Sequence, residues 1–181
     1  MSEAEQNITE AQQKAAAFLS RPRLRFEPKS PERIAAEAKA AAEEQARLEA
    51  EAIANAQVGD KMADGTIFAG ISPDTNQPMY AAPADAPLGM DFNAAAKYAE
   101  GLEVGGKKGF RIPTKAELNV LFQNREKGAL KGTFNLTGSD TAGWYWSSTP
   151  YNVNYAYGQR FSDGGHDFYG RNSDSSVRCV R

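Results

Sequence analysis

The sequence contains one cysteine and one histidine, Cys179 and His166, among 181 residues. A single cysteine excludes an intrachain disulfide, and together these two residues exclude the usual zinc clusters. His166 has Asp163 and Asp167 nearby, but a lone histidine in a glycine-rich loop is more often a surface contact than a metal ligand or a base. We therefore expect no metal at this position.

The chain also lacks a long hydrophobic run and an excess of positive charge. No segment approaches the roughly 20 apolar residues that a membrane span requires, so we expect no membrane insertion. A formal net charge of −2 provides no basic field for nucleic acid, and we expect none as a partner. The first residues lack the basic-then-apolar pattern of a signal peptide, so we expect synthesis in the cytoplasm and association with a virion.

Motifs of common enzyme classes are missing as well. No Gly-x-Ser-x-Gly elbow accompanies Ser147, Ser148 and His166. The glycine pair at Gly105 and Gly106 lacks the Lys-Ser/Thr and the helix that complete a phosphate loop. We expect a protein that is not an enzyme and uses no cofactor.

Glycine, tryptophan and tyrosine are absent from residues 1–57, which are rich in alanine, glutamate, glutamine and arginine. Glycine and aromatic residues appear together from Val58 onward. This change in composition predicts a helical stalk or docking region over residues 1–57 and a ligand-binding domain over residues 58–181.

The first part predicts two helices. Thr9 and Gln12 fit a capping box that opens a helix to about Leu19. Prolines then interrupt this helix, and Ser30 and Pro31 fit the cap and the first position of a second one. A thin heptad seam follows at alternating spacings of four and three: Ile34, Ala38, Ala41, Gln45, Leu48, Ala52 and Asn55. The seam fits a solvated linker, or else a stalk that self-associates, with a trimer favoured, or docks onto a larger fibre or virion assembly.

The second part predicts an α+β domain. Asp91 is the expected cap of a helix in DFNAAAKYAEGL, and Thr114 with Glu117 forms a capping box for a helix in PTKAELNVLFQNR. Short strands are expected in GDKMADGTIFAGISP, QPMYAAP, GWYWSST, RFSDG and SSVRCVR. On the last of these strands, Val177 and Cys179 should share one face.

The stretch from Tyr151 to Asn172 holds four of the chain's seven tyrosines and no Lys, Glu, Met or Trp. Tyrosine gives a large contact area at low entropic cost, and small polar residues give adaptable hydrogen bonds, the mixture found in antibody paratopes. Such a patch, when exposed, usually marks a binding site. Alternatively, Tyr155 and Tyr157 could share a buried face of a strand. The candidate ligand contacts are Tyr151, Asn152, Asn154, Tyr155, Tyr157, Asp163, His166, Asp167, Tyr169 and Asn172.

Four other aromatic residues of this region are assigned to the core. Phe161 and Phe168 are expected inside the domain. Trp144 and Trp146, two apart on one strand, share a face and are expected to be core residues rather than a platform for a ligand.

The order GFRIPTKAEL, GWYWSST, RFSDG and SSVRCVR resembles the collagen-like-protein C-terminal (Lcl-C) domain family over residues 58–181. Phe110 stands where members of the family often have tryptophan. The resemblance implies a C-type-lectin-like fold, related to that of formylglycine-generating enzymes. Those enzymes need paired active-site cysteines, so their activity is not expected here. The Glu-Pro-Asn and Trp-Asn-Asp motifs of calcium-dependent sugar-binding lectins are also absent.

The tail is similar to the variable segment of proteins diversified by retroelements, which are lectin-fold proteins and include many phage receptor-binding and bacterial surface proteins. Their adenine-directed substitution cannot produce Lys, Glu, Gln, Met or Trp, so Gln159 is expected to be a fixed position. The resemblance implies a receptor-binding protein of tail-fibre or diversified type, whose partner is a cell-surface protein or glycan. The alternatives are a structural virion or assembly protein that depends on its N-terminal helices, and a bacterial adhesin.

Overall fold

The computed structural model describes residues 29–137 and 143–181. The helix predicted from Thr9 to Leu19 lies outside these residues. The described residues divide into two units, one that ends at Gln45 and one that begins at Ala46. The predicted domain boundary near residue 57 stays a prediction.

The second predicted helix is present as α1, Pro31–Asn55. Ser30 caps it, because its backbone oxygen accepts the Ile34 N–H at 3.0 Å and its hydroxyl accepts the Arg33 N–H at 3.3 Å. All of its described side chains are exposed, including Ile34 and Leu48 of the seam. The helix is therefore confirmed. The two interpretations of its seam, as a solvated linker or as a stalk that associates, stay predictions.

The remaining elements form the α+β arrangement expected from the sequence. Strands β1, Ile67–Ile71, and β2, Pro78–Ala81, make an antiparallel pair. Helices α2, Phe92–Gly101, and α3, Lys115–Asn124, follow, and a short 3-10 turn spans Gly128–Leu130.

Both predicted helix caps are confirmed. The Asp91 side chain accepts the Ala94 N–H at 2.9 Å at the start of α2. At the start of α3, the Thr114 hydroxyl accepts the Glu117 N–H at 3.2 Å, and the Glu117 carboxylate accepts the Thr114 N–H at 2.9 Å. The helix starts are therefore set by local sequence.

A three-stranded antiparallel sheet carries the tail. Its strands are β3, Trp144–Pro150, β4, Tyr155–Arg160, and β5, His166–Gly170, in the order β3-β4-β5. Successive side chains of a strand point to opposite faces, and each face of this sheet covers a separate core cluster. Tyr145 lies in the first cluster, with Leu118 and Leu121 of α3, whereas Trp146 and Ala156 lie in the second.

The strand predicted in RFSDG is wrong beyond Arg160, where β4 ends. The chain turns there, because Gly164 N–H donates to the Arg160 carbonyl at 2.8 Å and Arg160 N–H donates to the Gly165 carbonyl at 2.8 Å. Gly164 has a φ of 84°, which favours glycine. The sequence therefore encodes a tight turn where alternation suggested a strand.

The C-terminal segment SSVRCVR is extended but is not one continuous strand. It makes isolated bridges, Val180 with both Ala81 and Arg111, and Ser176 with Tyr145. The predicted alternation is confirmed, because Val177 and Cys179 lie in the second core cluster and Val180 lies in the first. Burial raises the pKa of the Cys179 thiol to about 12, which leaves it protonated and unreactive.

Glu117 is fully buried and connects the start of α3 to two other segments. Its carboxylate accepts hydrogen bonds from the Ser72 hydroxyl at 2.6 Å, from Arg111 Nη2 at 2.7 Å and from the Thr114 N–H at 2.9 Å. Burial alone would raise the pKa of Glu117, but these donors outweigh it and hold the pKa at about 2.

Replacing Glu117 with glutamine should lower the free energy of unfolding at pH 7 by about 3 kcal/mol, because it removes a carboxylate whose folded pKa lies well below its unfolded value. A depressed pKa stabilises the fold above the unfolded value of 4.5, and this contribution disappears as pH falls towards the folded value of about 2. The difference between wild type and variant, measured by urea unfolding from pH 7 to pH 3, should therefore shrink below about pH 4.5. A difference that stays constant with pH would contradict this.

The matched control is Glu103→Gln, which removes an exposed ion pair with Lys108. It should change the free energy of unfolding by less than about 1 kcal/mol at any pH.

Gly164 is enclosed by Phe122, so that a Cβ at this position would lie 2.5 Å from a ring carbon. Gly164→Ala should lower the free energy of unfolding by about 2–3 kcal/mol, from the positive φ and the ring contact together. Gly109→Ala is the control, since Gly109 has a similar φ of 82° and nothing within 4 Å of the added carbon. Chemical denaturation should show a clearly smaller loss for Gly109→Ala, and equal losses would rule out the contact with Phe122 as a cause.

Candidate functional site

Four aromatic side chains of the tail pack together on one side of the sheet and face solvent. Tyr151 stacks on Phe168 with ring centroids 4.0 Å apart and planes 3° from parallel. Tyr157 meets Tyr151 edge-on at 5.6 Å, and Tyr155 meets Phe168 edge-on at 5.7 Å. We call these residues, Tyr151, Tyr155, Tyr157 and Phe168, the aromatic platform.

The strand register brings three of these rings together. Tyr157 lies directly opposite Phe168, so their side chains share a face. Tyr155 lies opposite Gly170, which has no side chain, and its ring reaches Phe168 along the diagonal.

The fourth ring, Tyr151, is placed by the loop between β3 and β4. The Asn152 side-chain oxygen accepts the Asn154 N–H at 2.9 Å and the Tyr155 N–H at 3.0 Å. The Tyr155 carbonyl in turn accepts the N–H groups of Tyr151 and Asn152. Asn152 thus shapes the loop, and its side-chain oxygen is already occupied within the protein.

The core assignment of Phe168 is wrong, because 41% of its surface is exposed, whereas the core assignment of Phe161 is confirmed at 0%. Phe168 belongs to β5, the edge strand, which has a neighbouring strand on one side only. Gln159, on the same face of β4, is fully buried, and its Nε2 donates to the Asn119 side chain of α3 at 3.1 Å.

The other aromatic residues divide between surface and core. Tyr155 is 40% exposed and Tyr157 is half-buried, with Lys115 Nζ 3.9 Å from its ring centroid. The alternative of a wholly buried Tyr155–Tyr157 face is therefore wrong. Trp144 and Trp146 are both buried, as predicted.

Two candidate contacts, Asp167 and Tyr169, alternate with the platform residues along β5 and lie on the opposite face of the sheet. Tyr169 packs edge-on against Trp144 at 5.1 Å and borders the second core cluster. The Asp167 side chain accepts the N–H of Phe168 at 2.8 Å. The platform does not include either residue.

Asp163 and His166 flank the turn between β4 and β5. Arg160 Nε and the Gly165 N–H donate to Asp163 at 2.9 and 3.0 Å, and the hydrogen bond from Arg160 is the largest cause that lowers the pKa of Asp163, to about 2. His166 is exposed beside the platform and lines a cavity of about 440 Å³ at the start of α3, together with Lys115. Partial desolvation of the ring and the Lys115 charge lower the pKa of His166, which favours the neutral ring at pH 7.

The last two candidates, Asn154 and Asn172, line a different cavity of about 540 Å³. Its other lining residues are Asp91, Asn93, Val153 and Arg171. Nine of the ten predicted contacts thus fall into a platform group, a turn group, an opposite-face group and this cavity, and Asn152 lies in the loop between β3 and β4.

Sequence reasoning did not identify Phe168, Lys115 or Arg171 as site residues. Phe168 had one available signal, since it alternates with His166 on an exposed edge strand. Lys115 and Arg171 had none, because each reaches its site through tertiary packing against another element.

Among residues 29–137 and 143–181, no three His, Cys, Asp or Glu side chains come close enough together to hold a metal ion. Of the helices in the same residues, none combines the length and the apolar character of a membrane span.

Comparison with known proteins gives a family for most of the domain. The model of the Lcl C-terminal domain matches residues 74–181, a range that includes both core clusters in large part, the platform and both cavities. No curated protein matches the sequence. Because the family model covers more than half of its residues, the chain belongs to the Lcl C-terminal domain family.

Proposed function

We propose that this protein is a non-enzymatic, phage-type or surface-binding protein whose aromatic platform binds a macromolecule on a cell surface. The observation that carries the proposal is the packing of four rings against one another at a solvent-facing position. Aromatic side chains left exposed in a contiguous group usually mark a binding surface rather than a structural feature.

The platform is suited to binding because its rings are already ordered. Ordering flexible side chains opposes association, and rings that pack on one another before the ligand arrives have less freedom to lose. Each ring also buries a large apolar area, and a tyrosine hydroxyl can satisfy a polar group at the same contact.

Polar side chains border the rings on the side nearest to α3. Lys115 lies over Tyr157, and His166 lies beside it in the cavity at the start of α3. Apolar centres with polar rims are typical of protein recognition surfaces. This border favours a macromolecular ligand with mixed chemistry, a cell-surface protein or glycan, over a purely apolar one.

Diversification of this face is part of the proposal, and the burial pattern supports it. Gln159, expected to be fixed, is fully buried and donates to Asn119 and to the Gly164 carbonyl. Tyr151 and Tyr155 are exposed, and their replacement would leave the core clusters unaltered. A fixed frame with changeable exposed positions is what a diversified binding protein requires.

Replacing Tyr151 and Tyr155 together with alanine should weaken ligand binding by about tenfold to a hundredfold, because two exposed anchors are lost. The melting temperature should stay close to that of wild type. Binding would be measured with streptavidin-tetramerised protein on a panel of intact bacterial cells and on a glycan array.

Leu88→Ala is the matched control, because it removes an exposed apolar side chain away from the platform. It should change neither binding nor melting temperature. Binding by the double variant at the wild-type level would refute a role for the platform. A fall in its melting temperature that accompanies the loss of binding would make the two tyrosines structural.

The second candidate function is assembly through α1, in a fibre or virion. Its motivating observation is the exposure of Ile34 and Leu48, at 55% and 49%, on the predicted seam of a 25-residue helix. An apolar seam of this kind is covered when helices associate. Both functions are compatible, since oligomers would present several platforms and gain avidity.

Self-association through the seam predicts that the full-length chain sediments as a trimer and that Ile34→Asp with Leu48→Asp yields monomers, because buried charges oppose the interface. Ile53→Asp is the control, since Ile53 is 45% exposed but lies off the seam. Sedimentation velocity distinguishes these outcomes. A monomeric wild type, or equal dissociation by Ile53→Asp, would exclude the stalk.

A further inference from the structure

The cavity of about 540 Å³ at the loop end of the sheet contains a guanidinium and three amide side chains. Three segments form it: the loop between β3 and β4, the residues after β5 and the start of α2. Asn154 and Arg171 come next to Tyr155 and Gly170 along the chain, so this cavity lies on the sheet face opposite the platform.

Within the part of the chain that the structure describes, Arg171, like Arg125, lacks the ion pair that four other arginines of the domain make. Arg111, Arg160, Arg178 and Arg181 each make an ion pair with an aspartate or a glutamate. Among the described residues, no carboxylate lies within ion-pair distance of Arg171, and its enclosed Nε has no hydrogen-bond partner. The guanidinium stacks on Phe92 at 4.5 Å from the ring centroid. The guanidinium is thus held in place outside ion-pair distance of any described carboxylate.

The backbone of Arg171 is fixed on both sides. Its N–H donates to the Asn154 carbonyl at 2.9 Å, and its carbonyl accepts the Phe92 N–H at 3.0 Å. The loop, the end of β5 and the start of α2 are therefore joined at this residue. A guanidinium placed by stacking and by a fixed backbone has little freedom to lose when it binds a ligand.

The three amide side chains around it belong to Asn93, Asn154 and Asn172, and all are exposed. Each amide offers both donors and an acceptor, the same groups as a peptide bond. Val153, 85% exposed, adds an apolar contact at the same cavity. The lining thus combines one cation, amides and an aliphatic group.

Asp91 is the carboxylate of this lining and opposes an incoming anion. Its effect is reduced because its side chain accepts the Ala94 N–H at 2.9 Å and lies at the positive end of α2. The remaining charge gives a test, because an Asp91→Asn variant keeps a capping side chain and removes the repulsion.

Building on the proposed function, we propose that this cavity is a second part of the binding surface and takes the carboxylate of an acidic peptide segment in a protein ligand. The Arg171 guanidinium donates paired hydrogen bonds to the aspartate or glutamate side chain. The asparagine amides bind the neighbouring peptide groups, and Val153 contacts an adjacent apolar side chain. The platform binds elsewhere on the same ligand.

The test uses N-acetyl-glutamyl-N-methylamide as the probe, with N-acetyl-glutaminyl-N-methylamide as its neutral isostere. Titration of the full-length protein is followed by NMR of the arginine Nε–H and asparagine side-chain N–H₂ resonances. Titration with the acidic probe should give saturable chemical-shift changes at Arg171, Asn154 and Asn172. The neutral isostere should bind more weakly by a factor of about ten or more. Equal binding of the two probes, or no saturable shift, would overturn the assignment.

Three variants locate the effect. Arg171→Gln should weaken binding of the acidic probe by about tenfold or more, and Asp91→Asn should strengthen it a few-fold. Arg125→Gln is the matched control, because Arg125 also stacks on a phenylalanine, Phe122, and has an enclosed unpartnered Nε, but lies outside the cavity. Loss of binding in Arg125→Gln equal to that in Arg171→Gln would overturn the assignment.

These measurements need no knowledge of the cellular target. Cell binding that depends on Tyr151 and Tyr155, with no response of Arg171 to the acidic probe, would reject the cavity and keep the platform. Binding of the acidic probe at Arg171, with cell binding that does not depend on Tyr151 and Tyr155, would reject the platform and keep the cavity.

Discussion

The fold depends on a buried arginine. Arg178 is fully enclosed, and an unpaired guanidinium in such a place would cost several kcal/mol, so each of its donors must be satisfied. Its Nε binds Asp85 at 2.7 Å, its Nη1 binds the Ala82 carbonyl at 3.0 Å, and its Nη2 binds Thr133. The guanidinium also lies 4.1 Å from the ring centroid of Phe134. One side chain therefore joins two segments that are distant in sequence, at residues 82–85 and 133–134, to its own.

The same network fixes the sheet that carries the aromatic platform. Asp85, the partner of Arg178, also accepts the hydroxyl of Tyr145 on β3, and that hydroxyl in turn accepts the Asn135 N–H. Burial, with the nearby Asp85 charge, raises the pKa of Tyr145, so the ring stays neutral and keeps its donor. Tyr145 is thus held on one face of β3, and exposure increases outward through β4 to β5. The aromatic platform lies on the middle strand β4, on the edge strand β5 and in the loop before β4.

The parts of this fold that follow from local chemistry could be predicted, and the parts set by distant contacts could not. The caps at Asp91 and Thr114 depend on residues three positions away, so the sequence contains them entirely. The exposure of Phe168 depends on which elements pack over its face of the sheet, which no local pattern reports. The turn at Gly164 combines a local feature, a positive φ that favours glycine, with a contact with Phe122 that no local pattern reports. For the candidate site, the composition of the tail indicates the segment from Tyr151 to Asn172. Only the strand register shows that Tyr157 and Tyr169 lie on opposite faces of the sheet.

The loop between β3 and β4 contributes to both proposed parts of the binding surface. Tyr151 and Tyr155 belong to the platform, whereas Val153 and Asn154 line the cavity with Arg171. Because Asn152 holds the loop through two backbone N–H groups, it positions both parts at once. A residue with this role is constrained even though its side chain is exposed. Exposure alone is therefore a poor guide to which tail positions can vary, and a diversified face built on this frame would vary around Asn152 rather than at it.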